Sequence, residues 1–129
     1  MSQAHLSEYL VLSRGQWDKN ASKSDIETAI GKFYDWYSSN LESGRMKPGS
    51  RLTTDIAIVS KSGISTDGPF GEAKEVIGGY WIILARNLRE AAELAAQNPV
   101  LPHGLHFEIR PLESERGSAY KISNENPKT

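Results

Sequence analysis

Residues 79–85 read Gly-Tyr-Trp-Ile-Ile-Leu-Ala, the most apolar stretch in a chain of 129 residues. In an extended strand, successive side chains point to opposite faces. Tyr80, Ile82 and Leu84 therefore share one face, and Trp81, Ile83 and Ala85 share the other. Both sets are hydrophobic, so this strand has to be covered on both sides. No other feature of the chain restricts its fold as much.

The remaining elements are arranged around that strand. Residues 8–13 read as a first strand, closed by Arg14-Gly15. Ser24-Asp25-Ile26-Glu27 has the form of a capping box, in which the serine oxygen accepts from the Glu27 N–H and the Glu27 carboxylate accepts from the Ser24 N–H. Ile26, Ile30, Phe33, Tyr37 and Leu41 then recur at helical spacing, widened by Ala29 and Trp36, until Ser43-Gly44 stops the helix. Pro48-Gly49, within residues 45–54, argues for a turn between short extended pieces and against a central strand. Residues 55–60 and 64–66 form a hairpin pattern about Lys61-Ser62-Gly63.

Gly78-Gly79 permits a bulge or tight entry into the apolar strand, and secondarily leaves room for a ligand to approach the backbone. Asn87-Leu88-Arg89-Glu90 repeats the capping logic and opens a second helix, with Leu88, Ala91, Ala92 and Ala95 as a face of mostly small residues; Asn98-Pro99 ends it. Residues 106–112 alternate as a last strand. One domain over residues 1–112 is expected, followed by a polar tail, 113–129, that is flexible or serves as an arm for a partner.

The order strand, helix, hairpin, strand, helix, strand is that of a split βαβ, or ferredoxin-like, α+β domain with an inserted hairpin. Both helices then lie on one face of an antiparallel sheet. Two helices cover one face only, so the second apolar face of the central strand calls for another copy of the same sheet, packed face to face in a homodimer.

Composition narrows the chemistry. With a formal net charge of −1 and no basic cluster, the chain lacks the electrostatic footprint of a nucleic-acid binder, so no direct nucleic-acid binding is expected. The chain has no cysteine, which removes disulfides, thiol nucleophiles and cysteine-based zinc sites together. No basic leader with an apolar core and no membrane-length apolar run occurs, so a cytoplasmic protein without membrane association is expected. Neither metal-ligand spacing nor a Gly-x-Gly-x-x-Gly, Walker or Gly-x-Ser-x-Gly motif is present, and no metal or cofactor is expected.

The passage TDGPFGEAKEVIGGYW at 66–81, with ILARNLREAAELAA at 83–96 and HFEIRPL at 106–112, resembles the YCII-related family in its DGPF branch, small bacterial proteins whose signature is Asp-Gly-Pro-Phe. The likeness spans about residues 8–112 and implies a dimeric α+β barrel. It also implies two kinds of role: some relatives look like enzymes that use a His/Asp pair, and the domain is found fused to sigma-factor modules. The helix-borne histidine of the enzyme-like relatives has no counterpart here, because none occurs between Ser24 and Gly44. That dyad is therefore not carried over.

Two groups of residues are candidates for a site. Asp67-Gly68-Pro69-Phe70 reads as a turn; alternatively, Asp67 presents a catalytic carboxylate at the mouth of an inter-sheet cleft with Phe70 as its apolar wall. Glu72, Lys74 and Glu75 suit a solvated face, although Glu72 or Glu75 beside Asp67 in a buried site would raise a carboxylate pKa. Tyr80 and Trp81 are candidate pocket residues. On the last strand, Phe107 and Ile109 should face the helices, which sends His106, Glu108 and Arg110 to the dimer cleft.

There, Arg110 would clamp a substrate carboxylate, His106 would exchange a proton, and Glu108 would orient either; a Glu108–Arg110 or intersubunit ion pair is the structural alternative. His103 fits a turn. Two functions stay open: a small-molecule pocket between the sheets near the DGPF turn, with acid/base chemistry on a small organic acid or lactone, or a non-catalytic dimerisation or regulatory module linked to transcription.

Overall fold

The computed structural model describes residues 5–66, 76–113 and 124–125. In chain order the elements are β1 (Ser7–Arg14), α1 (Lys23–Glu42), β2 (Met46–Arg51), β3 (Ile58–Ser60), β4 (Gly63–Ser65), β5 (Ile77–Ala85), α2 (Leu88–Ala95) and β6 (His106–Pro111), with a 3-10 turn at Leu101–His103. Four strands form one antiparallel sheet in the order β2-β5-β1-β6, and β3 and β4 form a separate hairpin. The chain is an α+β, ferredoxin-like domain in which α1 crosses from β1 to β2 and β5 fills the place between them. The DGPF tetrapeptide at 67–70, Glu75 and most of the tail from 113 onward lie outside the described residues.

Period-two patterning turns directly into layers. Tyr9 pairs with Ile83 and Val11 with Trp81 on one face, while Leu10 pairs with Ile82 and Leu12 with Tyr80 on the other. The first set is buried together with Met46, Ala85 and the α2 residues Ala91, Leu94 and Ala95. Phe33, Trp36, Tyr37 and Leu41 of α1 and Phe107 and Ile109 of β6 pack against this core. Both helices thus cover the same side. On the uncovered side Leu10, Leu12, Ile82 and Leu84 remain half-buried, and Tyr80 is 38% exposed.

Several local details differ from the sequence pattern. Ser22, not Ser24, caps α1: its Oγ accepts from the Asp25 N–H at 3.0 Å, and the helix begins at Lys23. The chain offers Ser-x-x-acid twice, and the earlier copy lets more residues join the helix. Gly44 at φ 80° ends it as expected. In α2, the Asn87 side chain accepts from the Glu90 N–H at 2.8 Å, but the packed face uses Leu94, while Leu88 stays 47% exposed. The core-facing stripe runs through Ala91, Leu94 and Ala95, a spacing that leaves the first turn outside it.

Residues 46–51 form one continuous strand at the sheet edge rather than a turn between pieces. The proline is accommodated because the register with β5 shifts between Lys47 and Ser50, placing Pro48-Gly49 in a bulge. This bulge needs glycine for a steric reason. A Cβ at Gly49 would lie 1.9 Å from the Tyr80 carbonyl oxygen, and the Gly49 N–H donates to the Tyr37 hydroxyl of α1 at 3.0 Å. A second bulge sits on β5, where Ser13 opposes Gly79 and Arg14 opposes Ile77, leaving Gly78 as the extra residue.

Two glycine substitutions should therefore have opposite signs. Gly49→Ala is expected to lower unfolding free energy by about 1–3 kcal/mol through overpacking. Gly31→Ala, on α1 with nothing within 4 Å of the new Cβ, should raise it by about 0.5–1 kcal/mol. Urea denaturation midpoints of the two variants check this; equal shifts of the same sign would contradict the packing described.

Candidate functional site

Packing between α1 and the sheet is incomplete at one place, and the strand register shows why. On the helix-facing side, Arg51 of β2 opposes Gly79 of β5, Gly79 opposes Ser13 of β1, and Ser13 opposes Phe107 of β6. Gly79 adds no side chain to this row, and the bulged Gly78 adds none beside it. Ile30, Phe33, Tyr34 and Tyr37 of α1 do not fill the gap. A cavity of about 600 Å³ results, closed further by Trp17, Trp81, Val100 and Leu105. That volume lies within the roughly 300–1,000 Å³ usual for small-molecule sites.

Its walls are mainly aromatic. Phe33 stacks on Tyr37 at 5.5 Å and 13°, and tilts against Trp81 at 5.4 Å; Trp81 in turn meets Phe107 at 5.7 Å. The lining residues with polar side chains are few: Ser13, Ser50, the tyrosines, Arg51 on the exposed side, and Trp17 and Trp81, the last with a buried indole N–H that has no hydrogen-bond partner among the described residues. Tyr37 already accepts from the Gly49 N–H. Among the described residues, no carboxylate or imidazole lines this space. Near one end, the His103 ring lies 6.0 Å from that of Trp17.

The residues singled out from sequence fall on different sides of the sheet. Trp81 forms a wall of the cavity, and the Tyr80 backbone borders it while the Tyr80 ring, by alternation, belongs to the uncovered face. His106, Glu108 and Arg110 pair with Arg14, Leu12 and Leu10, so they also belong to the uncovered face, and the sheet separates them from the cavity. Asp67, Phe70 and Glu75 lie outside the described residues. Ser13, Phe33, Tyr34 and Arg51 had not been singled out as site residues. Their convergence depends on which strand pairs with which, and no single segment encodes that.

On the uncovered face the charges form a chain of ion pairs. Glu108 accepts from Arg14 Nε at 2.7 Å through one carboxylate oxygen and from Arg110 Nε at 2.6 Å through the other. Arg110 is therefore already engaged by a carboxylate of its own strand, with Arg14 as an added member. His106 is exposed and lies beside Gly15. Lys47 and Glu8 form a further pair on this face.

Hydrogen bonds from Arg110 and then Arg14 hold the Glu108 carboxyl below its ordinary pKa. A depressed pKa means that the pairing stabilises the fold above the ordinary carboxylate range and is lost as pH falls through the folded-state value. Arg110→Ala should move the Glu108 titration, followed by NMR of its side-chain carboxyl, upward toward that of a free glutamate. An unchanged titration would mean that the pairing does not persist in solution.

No described helix is long and apolar enough to cross a membrane. The family model of the YCII-related domain matches residues 15–114. An uncharacterised protein of Rhizobium meliloti (strain 1021) is 36% identical over 78 residues, which cover 56% of this chain and 63% of that protein. With the family match extending from the end of β1 through β6, the chain belongs to the YCII-related family.

Proposed function

We propose that the cavity beneath α1 binds a small organic molecule, and that the protein works as a cytoplasmic homodimer joined through the uncovered faces of its sheets. The cavity itself carries this reading. A helix packed on a sheet normally closes to the density of an organic crystal, whereas here two consecutive glycines hold open about 600 Å³ ringed by aromatic side chains. The Asp67-Gly68-Pro69-Phe70 tetrapeptide supports placing the chain in the DGPF branch of its family.

Acid/base chemistry on a small organic acid or lactone is the finer part of the proposal. Asp67 is its candidate catalytic group. His106 projects from the opposite side of the sheet and is the weaker choice.

A second reading, a non-catalytic dimerisation or regulatory module linked to transcription, draws support from the uncovered apolar face and from the lack of a described carboxylate or imidazole along the cavity. Contact with transcription would then pass through a protein partner such as a sigma factor, since the near-neutral chain has little attraction for nucleic acid.

A thermal-shift screen with small carboxylic acids, lactones and phenols tests the binding site. A ligand at one hundred times its dissociation constant adds about 2.7 kcal/mol of stability. Gly78→Val is the matching control: a Cβ there meets only the Ser13 hydroxyl, at 3.9 Å, so the side chain can enter the cavity with the fold intact. Stabilisation of the wild type but not of Gly78→Val is expected; equal stabilisation of both would move the site elsewhere. Asp67→Asn should keep the ligand shift and lose any turnover.

For the dimer, Ile82→Arg on the uncovered face should convert a species of two chains into one on light scattering. A wild type that already runs as a single chain would remove the dimer from the proposal.

A further inference from the structure

We infer that the cavity is selective for a planar aromatic monoanion, its rings held among the aromatic walls and its carboxylate on the Arg51 guanidinium. This rests on the reading of the cavity as a binding site and adds the chemical class of what it takes.

The argument starts from the charges. Four of the described arginines have carboxylate partners: Arg14 and Arg110 share Glu108, Arg86 pairs with Glu90, and Arg89 pairs with Glu93; Arg45, which precedes β2 and does not line the cavity, has no ion pair among the described residues. Arg51 has no such partner among the described residues, yet it ends the cross-strand row that forms the cavity floor. Opposite Gly79, its side chain leaves β2 on the helix-facing side, so an anion in the cavity has a guanidinium at the rim. With no described carboxylate in the lining, no fixed negative charge there repels an anion, and the Arg51 guanidinium at the rim works against the cation–π attraction that the aromatic walls alone would offer a cation.

The walls define the other half of the ligand. Phe33 and Phe107 each meet Trp81 tilted and Tyr37 is stacked on Phe33, the arrangements that also admit an added ring. An apolar cavity of about 150 Å³ takes a benzene, so 600 Å³ has room for two fused rings and a polar substituent. The Ser13 hydroxyl lies two strands from Arg51 in the same row, roughly 10 Å at the usual strand spacing, and offers a partner to a group at the far end of such a ligand.

Four probes separate the parts: 2-naphthoate, its neutral counterpart 2-naphthalenemethanol, the cation 2-naphthylmethylamine, and the non-planar decahydro-2-naphthoate. Binding to the full chain is followed by fluorescence, because Trp17 and Trp81 both line the cavity. We expect 2-naphthoate to bind at least about tenfold more tightly than the other three. Arg51→Gln should remove that advantage over the alcohol while leaving alcohol binding unchanged, and Gly78→Val should weaken both. Arg51 is exposed, and circular dichroism and melting of its variant should match the wild type.

If acid and alcohol bind alike, or Arg51→Gln has no effect on the acid, the anion assignment is wrong while the binding cavity stands. Equal binding of the decahydro acid removes the aromatic requirement. Failure of all four probes, or binding that survives Gly78→Val unchanged, overturns the inference and counts against the cavity as the site.

Discussion

The fold is organised around β5, a strand that is apolar on both of its faces. Its helix-facing residues Trp81, Ile83 and Ala85 meet the core, and its other face carries Tyr80, Ile82 and Leu84. A strand of this kind cannot sit at an edge, and it occupies an inner position between β2 and β1. Edge duty falls to β2, whose Pro48 removes a donor where an inner strand would need one, and to β6, whose charged residues alternate with apolar ones. Strand order is thus the arrangement in which each segment's hydrogen-bonding and burial requirements are met.

The architecture was legible because it rests on local periodicity. Short apolar runs identified β1 and β5, alternation identified β6, and the 3.6-residue spacing identified α1. The misplaced details have local causes as well: two overlapping Ser-x-x-acid patterns compete at 22–27, and the burial of α2 depends on where its short axis meets the sheet, which places Leu94 rather than Leu88 inside. The side to which His106, Glu108 and Arg110 project follows from alternation alone, and the structure has them on the uncovered side. That Arg14 would share Glu108 required knowing that β1 lies beside β6.

The cavity could not be anticipated in the same way. Gly79 matters because of what lies across from it on two other strands, and register between distant segments has no signature in either one. Even so, the glycine pair carried a partial signal: it suggested a bulge and, secondarily, room for a ligand, and the bulge is present at Gly78. A pocket between two sheets near the DGPF turn, the expectation from sequence, involves residues outside those described; the cavity under α1 is a separate feature, formed within one chain.

One thin layer therefore separates an aromatic hollow from an ionic, apolar outer face, and neighbouring residues of a single strand serve opposite sides. A slip of β5 by one residue would turn Trp81 outward and Tyr80 inward, exchanging the two surfaces in one step. The bulges guard against this. One lies where β2 meets β5 and the other where β5 meets β1, so β5 is indexed against both of its neighbours. Irregularities that look like defects in the ladder act as alignment keys, and they decide which chemistry faces which way.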